Sequence, residues 1–171
     1  MDLTYDITDD SGFMALADPD RYQSFVHKEW DFDELVERFI QEMRNNALII
    51  WSTGLENTWT VRFSDRPTDA TPFRQFEKVI EVTNGRLVLT NYEDLTMAAQ
   101  FEDEKIPSRH NADLLVGLAN GRYTATVRQM VHPDRSFDMP SGEVHFEIVL
   151  SPVISDGPVG KQVDDIFWSE L

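Results

Sequence analysis

Apolar residues along residues 31–46 recur with helical spacing. Phe32, Leu35, Val36, Phe39, Ile40 and Met43 fall at i, i+3, i+4, i+7, i+8 and i+11, one stripe on a helix. Asp31 stands where an N-cap belongs, and Glu34 follows at the capping-box distance. Acids fill the first turn and Arg44 the last, as the helix dipole favours. Asn45-Asn46 is the stop. The spacing predicts an amphipathic helix laid on a sheet; the sharper alternative is a helix presented to a partner's groove.

Elsewhere the period falls to two. Residues 47–51 form a short apolar run that reads as a buried strand. In 58–63, Trp59, Val61 and Phe63 share one face and Thr58, Thr60 and Arg62 the other. Residues 76–83 and 86–91 flank Asn84-Gly85, the strongest short signal for a two-residue hairpin. Residues 95–101 read as a further strand. Asn120-Gly121 opens 122–131, where Tyr123, Ala125, Val127, Gln129 and Val131 share a face. In 142–153, Val144, Phe146, Ile148 and Leu150 do the same. The proline-bearing stretches 64–72, 102–111 and 132–141 read as loops. The pattern predicts a mainly β fold, an antiparallel β-sandwich with one amphipathic helix packed on it. The expected division is a domain over 1–155 and an acidic tail over 156–171, joined through the linker-like stretch 157–160.

Charge changes the picture more than composition does. The chain carries 31 Asp and Glu against 15 Lys and Arg, a net of -16 over 171 residues. Half of that excess sits in residues 1–34, with ten acids against Arg21 and Lys28. Such a field repels nucleic acid and anionic lipid and attracts basic proteins. The bland reading of the acids is a solvated face that keeps the chain soluble. The functional reading is an electrostatic docking surface. Its candidate residues are the clusters Asp9-Asp10, Asp18 with Asp20, and Glu102-Asp103-Glu104. Trp168, among acids beyond the last strand, joins them as an anchor if exposed.

Motifs for chemistry are sparse. With no cysteine, disulfides and thiolate chemistry are excluded. His27, His110, His132 and His145 form no metal-ligand spacing, the acid pairs lack a calcium-loop pattern, and no glycine spacing makes a phosphate loop. No serine lies in a nucleophile elbow. No metal or other cofactor is expected. His145 alternates with the apolar face of its strand and reads as a satisfied residue. Trp30, Trp51 and Trp59 read as core. Should the chain hold a small ligand or a reaction, the polar loop residues Arg109, His110 and His132 are the candidates. The N-terminus has no basic or apolar segment of a signal peptide, so the expected location is the cytoplasm.

Between Phe76 and Val131 the plan of strand, Asn84-Gly85, strand, then Leu118-Ala119-Asn120-Gly121-Arg122-Tyr123 opening a new strand resembles the competence protein J family. That resemblance covers about a third of the chain. It implies a small acidic bacterial β-sandwich that inhibits a DNA-entry nuclease. The helix near 31–46, the loop 132–141 and the tail lie outside it, and it transfers no binding residue.

The preferred expectation is therefore a non-catalytic acidic binding protein, of inhibitor or immunity type, that occludes a basic site of a nuclease or toxin. The alternatives are a small-molecule-binding or catalytic sandwich using the loop residues, and a structural module that assembles into homo-oligomers.

Overall fold

Alternation between exposed and buried side chains builds the first sheet. In β1 (Asp2–Asp9), Leu3, Tyr5 and Ile7 turn inward while Asp2, Thr4, Asp6 and Thr8 stay in solvent. It pairs antiparallel with β4 (Asn57–Ser64), whose Trp59, Val61 and Phe63 are buried as their spacing predicts. Three more strands complete the sheet in the order β1-β4-β9-β8-β5: β5 (Arg74–Val82), β8 (Gly121–Gln129) and β9 (Phe146–Pro152). The computed structural model describes residues 1–22, 31–154 and 162–169. His27, Trp30 and the linker stretch 157–160 lie outside the described residues.

The second sheet has the order β3-β2-β6-β7, from β2 (Phe13–Ala17), β3 (Leu48–Ser52), β6 (Arg86–Asn91) and β7 (Leu115–Gly117). One face meets the first sheet, where Trp51, Trp59, Phe63 and Phe146 are fully buried. The other face is covered by helix α1 (Phe32–Arg44), through Leu35, Phe39, Ile40 and Met43. Strands covered on both sides read as apolar runs rather than alternations, which is why residues 47–51 are continuous. The fold is mainly β, a sandwich with an amphipathic helix on it. The Asp31 side chain accepts the Glu34 N–H, as an N-cap should.

Local expectations are corrected at four places. The strand expected at 95–101 is helix α2 (Tyr92–Gln100). Asn91 caps it by accepting the Asp94 N–H at 2.9 Å, Glu93 and Asp94 lie in its first turn, and Leu95, Ala98 and Ala99 are buried against the second sheet. These are helix-start signals followed by helix formers, and they outweigh a short apolar run. Asn84-Gly85 is a turn, but not between paired strands: β5 belongs to one sheet and β6 to the other. Gly85 takes φ +72° while Asn84 does not share the positive φ that a type I′ hairpin needs. Asn120-Gly121 makes the same crossing between β7 and β8, and the Asn120 side chain accepts the Gly85 N–H at 2.7 Å, tying the two crossings together. Finally, β4 and β9 run parallel; every other strand pair described is antiparallel. β9 also starts at Phe146, later than the expected 142.

Residues 162–169 lie along the side where β3 and β5 are edge strands. Phe167 forms a parallel bridge with Trp51, its carbonyl accepts the Ser52 N–H, and its ring stacks on Phe76 at 3.8 Å. The edge of β5 is blunted separately. The Asn46 carbonyl accepts the Glu81 N–H at 2.8 Å, and Lys78 takes a position on the inward face. Capping contacts and an inward charge are the usual protections of a strand edge.

Candidate partner-binding surface

The acids singled out from the sequence divide into buried and exposed sets. Asp9 closes β1 and is 1% exposed. One of its oxygens accepts the backbone N–H groups of Ser11, Gly12 and Phe13, at 3.1, 2.7 and 3.1 Å. The other accepts the Thr53 hydroxyl at 2.8 Å and the Trp59 indole N–H at 3.3 Å. Asp18, at 0% exposure, accepts the Asp20 N–H with one oxygen and the Thr83 N–H and hydroxyl with the other. Both carboxylates hold chain reversals together and present nothing to a partner, contrary to the sequence expectation. A carboxylate surrounded by oriented donors is stable inside where an unpartnered one is not.

Asp20 is at the surface but occupied. Arg86 donates to both of its oxygens, at 3.1 and 3.2 Å, and these bonds hold the carboxyl below its usual range. Asp10 and the run Glu102, Asp103 and Glu104 are exposed and make no side-chain ion pair among the described residues. They do not form one cluster. Asn91 ties the N-terminus of α2 to the Thr8 carbonyl, beside Asp10, whereas the acidic run follows the other end of that helix. Nine helical residues separate those ends by roughly 13 Å. Trp168 is half-buried rather than free, edge-on to Phe76 at 4.8 Å with Arg74 over its ring.

The alternative ligand residues are likewise dispersed. Arg109 and His110 are exposed in a 3-10 helix (Arg109–Asn111) beyond α2. His132 is exposed past the end of β8, edge-on to Phe73 at 4.7 Å. None of these three residues lines either of two open depressions among the described residues. One, of about 400 Å³, lies around Gly12, Ser52 and Leu55. The other, of about 470 Å³, lies between the outward side chains of β1 and β4 and residues 136–142. Among the described residues, no three His, Asp or Glu side chains group in a way that holds a metal ion.

Two arrangements were not anticipated from sequence. Glu147 is 1% exposed on the outer side of β9. It accepts from Arg62 at 3.0 Å, from Arg128, and from the Thr68 N–H and hydroxyl at 2.9 and 3.3 Å. Arg128 in turn donates to the carbonyls of Thr68 and Ala70, so an Arg–Glu–Arg ladder pins the β4–β5 loop over the sheet. The second arrangement is the larger depression itself. Its floor holds Asp6, whose carboxylate accepts the Thr60 hydroxyl at 2.7 Å, and His145. Nδ1 of His145 accepts the Thr60 N–H at 2.9 Å, and Nε2 faces the Ser136 carbonyl at 3.4 Å. The alternation of β1 was the available signal for Asp6, because it sits on the face opposite Leu3, Tyr5 and Ile7.

No protein-family model matches this chain, and no curated protein matches it. Two solved structures do. A protein described as Crocagin biosynthetic gene J superimposes with a TM-score of 0.61 at 16% identity, over 89% of this chain and 97% of that one. ComJ, described as an inhibitor of the DNA degrading activity of NucA, from Bacillus subtilis, superimposes with a TM-score of 0.51 at 10% identity, over 88% of this chain and 96% of that one. At these identities the likeness lies in the arrangement of strands and helices, and this chain shares its fold with ComJ.

Proposed function

We propose that this chain is a non-catalytic inhibitor that binds a basic site of a DNA-degrading nuclease, in the bacterial cytoplasm and without a cofactor. The observation that carries the reading is the joint one of fold and field. A chain with 31 acids and 15 bases is folded like a protein described as a nuclease inhibitor. A nuclease binds phosphates with cationic groups, so carboxylates set on a rigid sheet compete for the same groups. Attraction between opposite fields speeds encounter and is screened by salt. The small-ligand alternative draws no support from Arg109, His110 and His132, which line neither depression.

The test is inhibition of plasmid degradation by a nuclease of the NucA type. The full chain is expected to suppress cleavage near equimolar ratio, with an association rate that falls steeply between about 50 and 500 mM salt. Undiminished cleavage at about tenfold molar excess in low salt would remove the reading.

A further inference from the structure

The larger depression has the makings of a seat for one particular side chain. Its floor is polar, from Thr4 and Asp6 of β1 and Thr58 and Thr60 of β4. Its wall is apolar: Phe137, 68% exposed, with Met139 and Pro140. Phe137, Met139 and Pro140 together give the hollow one apolar side that an occupant can cover.

The charge of the lining is one-sided. Asp6 supplies a carboxylate, no lysine or arginine among the described residues lines the hollow, and Nδ1 of His145 is taken up by the Thr60 N–H. Arg62, next outward on β4, is already committed to Asp2 and Glu147. Asp6 makes one side-chain bond, from Thr60, so a carboxylate has further acceptor positions there. A lysine or arginine is apolar along its stem and cationic at its tip, which is the chemistry of this wall and this floor. β1 is an edge strand of its sheet, so the hollow opens at a side that a protein surface reaches.

The geometry points to this hollow as the seat of a basic side chain projecting from the partner protein, its stem against Phe137 and Met139 and its cation on Asp6. The assignment rests on the reading of the chain as an inhibitor of a basic site, and specifies where that site is engaged. A guanidinium here makes charge-assisted bonds to Asp6 that a neutral isostere of the same shape lacks.

The probe is the blocked tripeptide amide Gly-Arg-Gly, titrated into the ¹⁵N-labelled full chain and followed by amide shifts, with citrulline in place of arginine as the neutral control. Shifts are expected to centre on Thr58, Thr60, Phe137 and His145, with citrulline binding about tenfold weaker. Asp6→Asn should lose that discrimination while leaving the remaining spectrum folded, and Phe137→Ala should weaken both peptides by about threefold. Shifts centred on the acidic run 102–104, equal binding of citrulline, or an unchanged arginine affinity in Asp6→Asn would each overturn the assignment. The nuclease assay separates this assignment from the reading beneath it. Inhibition that persists unaltered in Asp6→Lys removes the seat but keeps the inhibitor. Arginine-specific binding without inhibition by the wild-type chain keeps the seat and removes the inhibitor.

Discussion

The guanidinium of Arg74 lies 4.1 Å from the centre of the Trp168 ring, which joins the first residue of β5 to the end of the chain's described tail. Arg74 also donates to the Gln129 side chain at 2.6 Å and to the Ser52 carbonyl at 3.1 Å. No carboxylate pairs with it among the described residues, and burial draws its pKa down to about 10. Phe167, one residue earlier, fills the side of the sandwich by stacking on Phe76. Trp168→Ala should therefore cost about 2 kcal/mol, from a partly desolvated cation–π contact and the lost edge packing. Urea unfolding reads that loss as a lower midpoint. Truncation after residue 161 should lose more and should expose the β3 edge, so light scattering is expected to detect association of the shortened chain that the full chain does not show.

Asp9 should be among the least replaceable acids. Asp9→Ala strands four buried or half-buried donors, the N–H groups of Ser11, Gly12, Phe13 and the Trp59 indole, while the Thr53 hydroxyl keeps the Leu55 carbonyl as acceptor, and the expected loss exceeds about 3 kcal/mol. Its neighbour Asp10 is exposed, and Asp10→Ala should stay within about 0.5 kcal/mol. Chemical denaturation of the pair checks the contrast.

The Glu147 ladder predicts an asymmetry. Glu147→Ala leaves Arg128 buried without its counter-charge and should cost about 3–5 kcal/mol. Arg62→Ala should cost much less, because Arg62 is part-exposed and its other partner, Asp2, stands in solvent. The same unfolding measurement on both variants, with added protease cleavage between residues 65 and 72 as a local readout, tests whether the ladder holds the loop.

Lys78 predicts a pH dependence in the alkaline range. Its ammonium donates to the Asn46 side chain at 2.8 Å and to the Val79 carbonyl at 3.0 Å, yet burial lowers its pKa to about 8 from 10.5. The unfolded chain then binds more protons than the folded one between those values, so stability rises with pH across that window. Below about pH 8 the penalty of the buried charge is fully present. The Lys78 contribution to the rise should end near pH 10.5, where the unfolded lysine also loses its proton. In the same range the unfolded chain's Tyr22 phenol ionises, while burial holds the folded one well above its ordinary value. Melting temperatures from pH 7 to 10 should climb for the wild-type chain, and Lys78→Met should remove much of that climb.

Elements whose evidence is local were legible from residues alone. The cap at Asp31, the stripe from Leu35 to Met43 and the alternation of Trp59, Val61 and Phe63 state their own periods, because one face of each must be dry whatever lies opposite. Helix α2 was also written locally, in Asn91, Glu93, Asp94 and Ala98-Ala99, but a strand reading of its apolar residues concealed it. The alternation of Leu3, Tyr5 and Ile7 with Thr4 and Asp6 was equally local and went unread.

What no local pattern contains is which surfaces meet. Asn84-Gly85 specifies a reversal but not whether the next strand stays in the sheet, since that depends on pairings with residues dozens of positions away. Asp9 and Asp10 are the same residue type side by side. One is buried because Thr53 and Trp59 arrive with donors, and the other stays wet because none arrives among the described residues. Asp6, Thr60, His145 and Phe137 likewise become neighbours only when β1, β4 and the segment before β9 are folded against each other. Net charge and periodicity follow from composition and order along the chain, whereas burial and convergence arise from long-range contacts whose free energy no single segment carries.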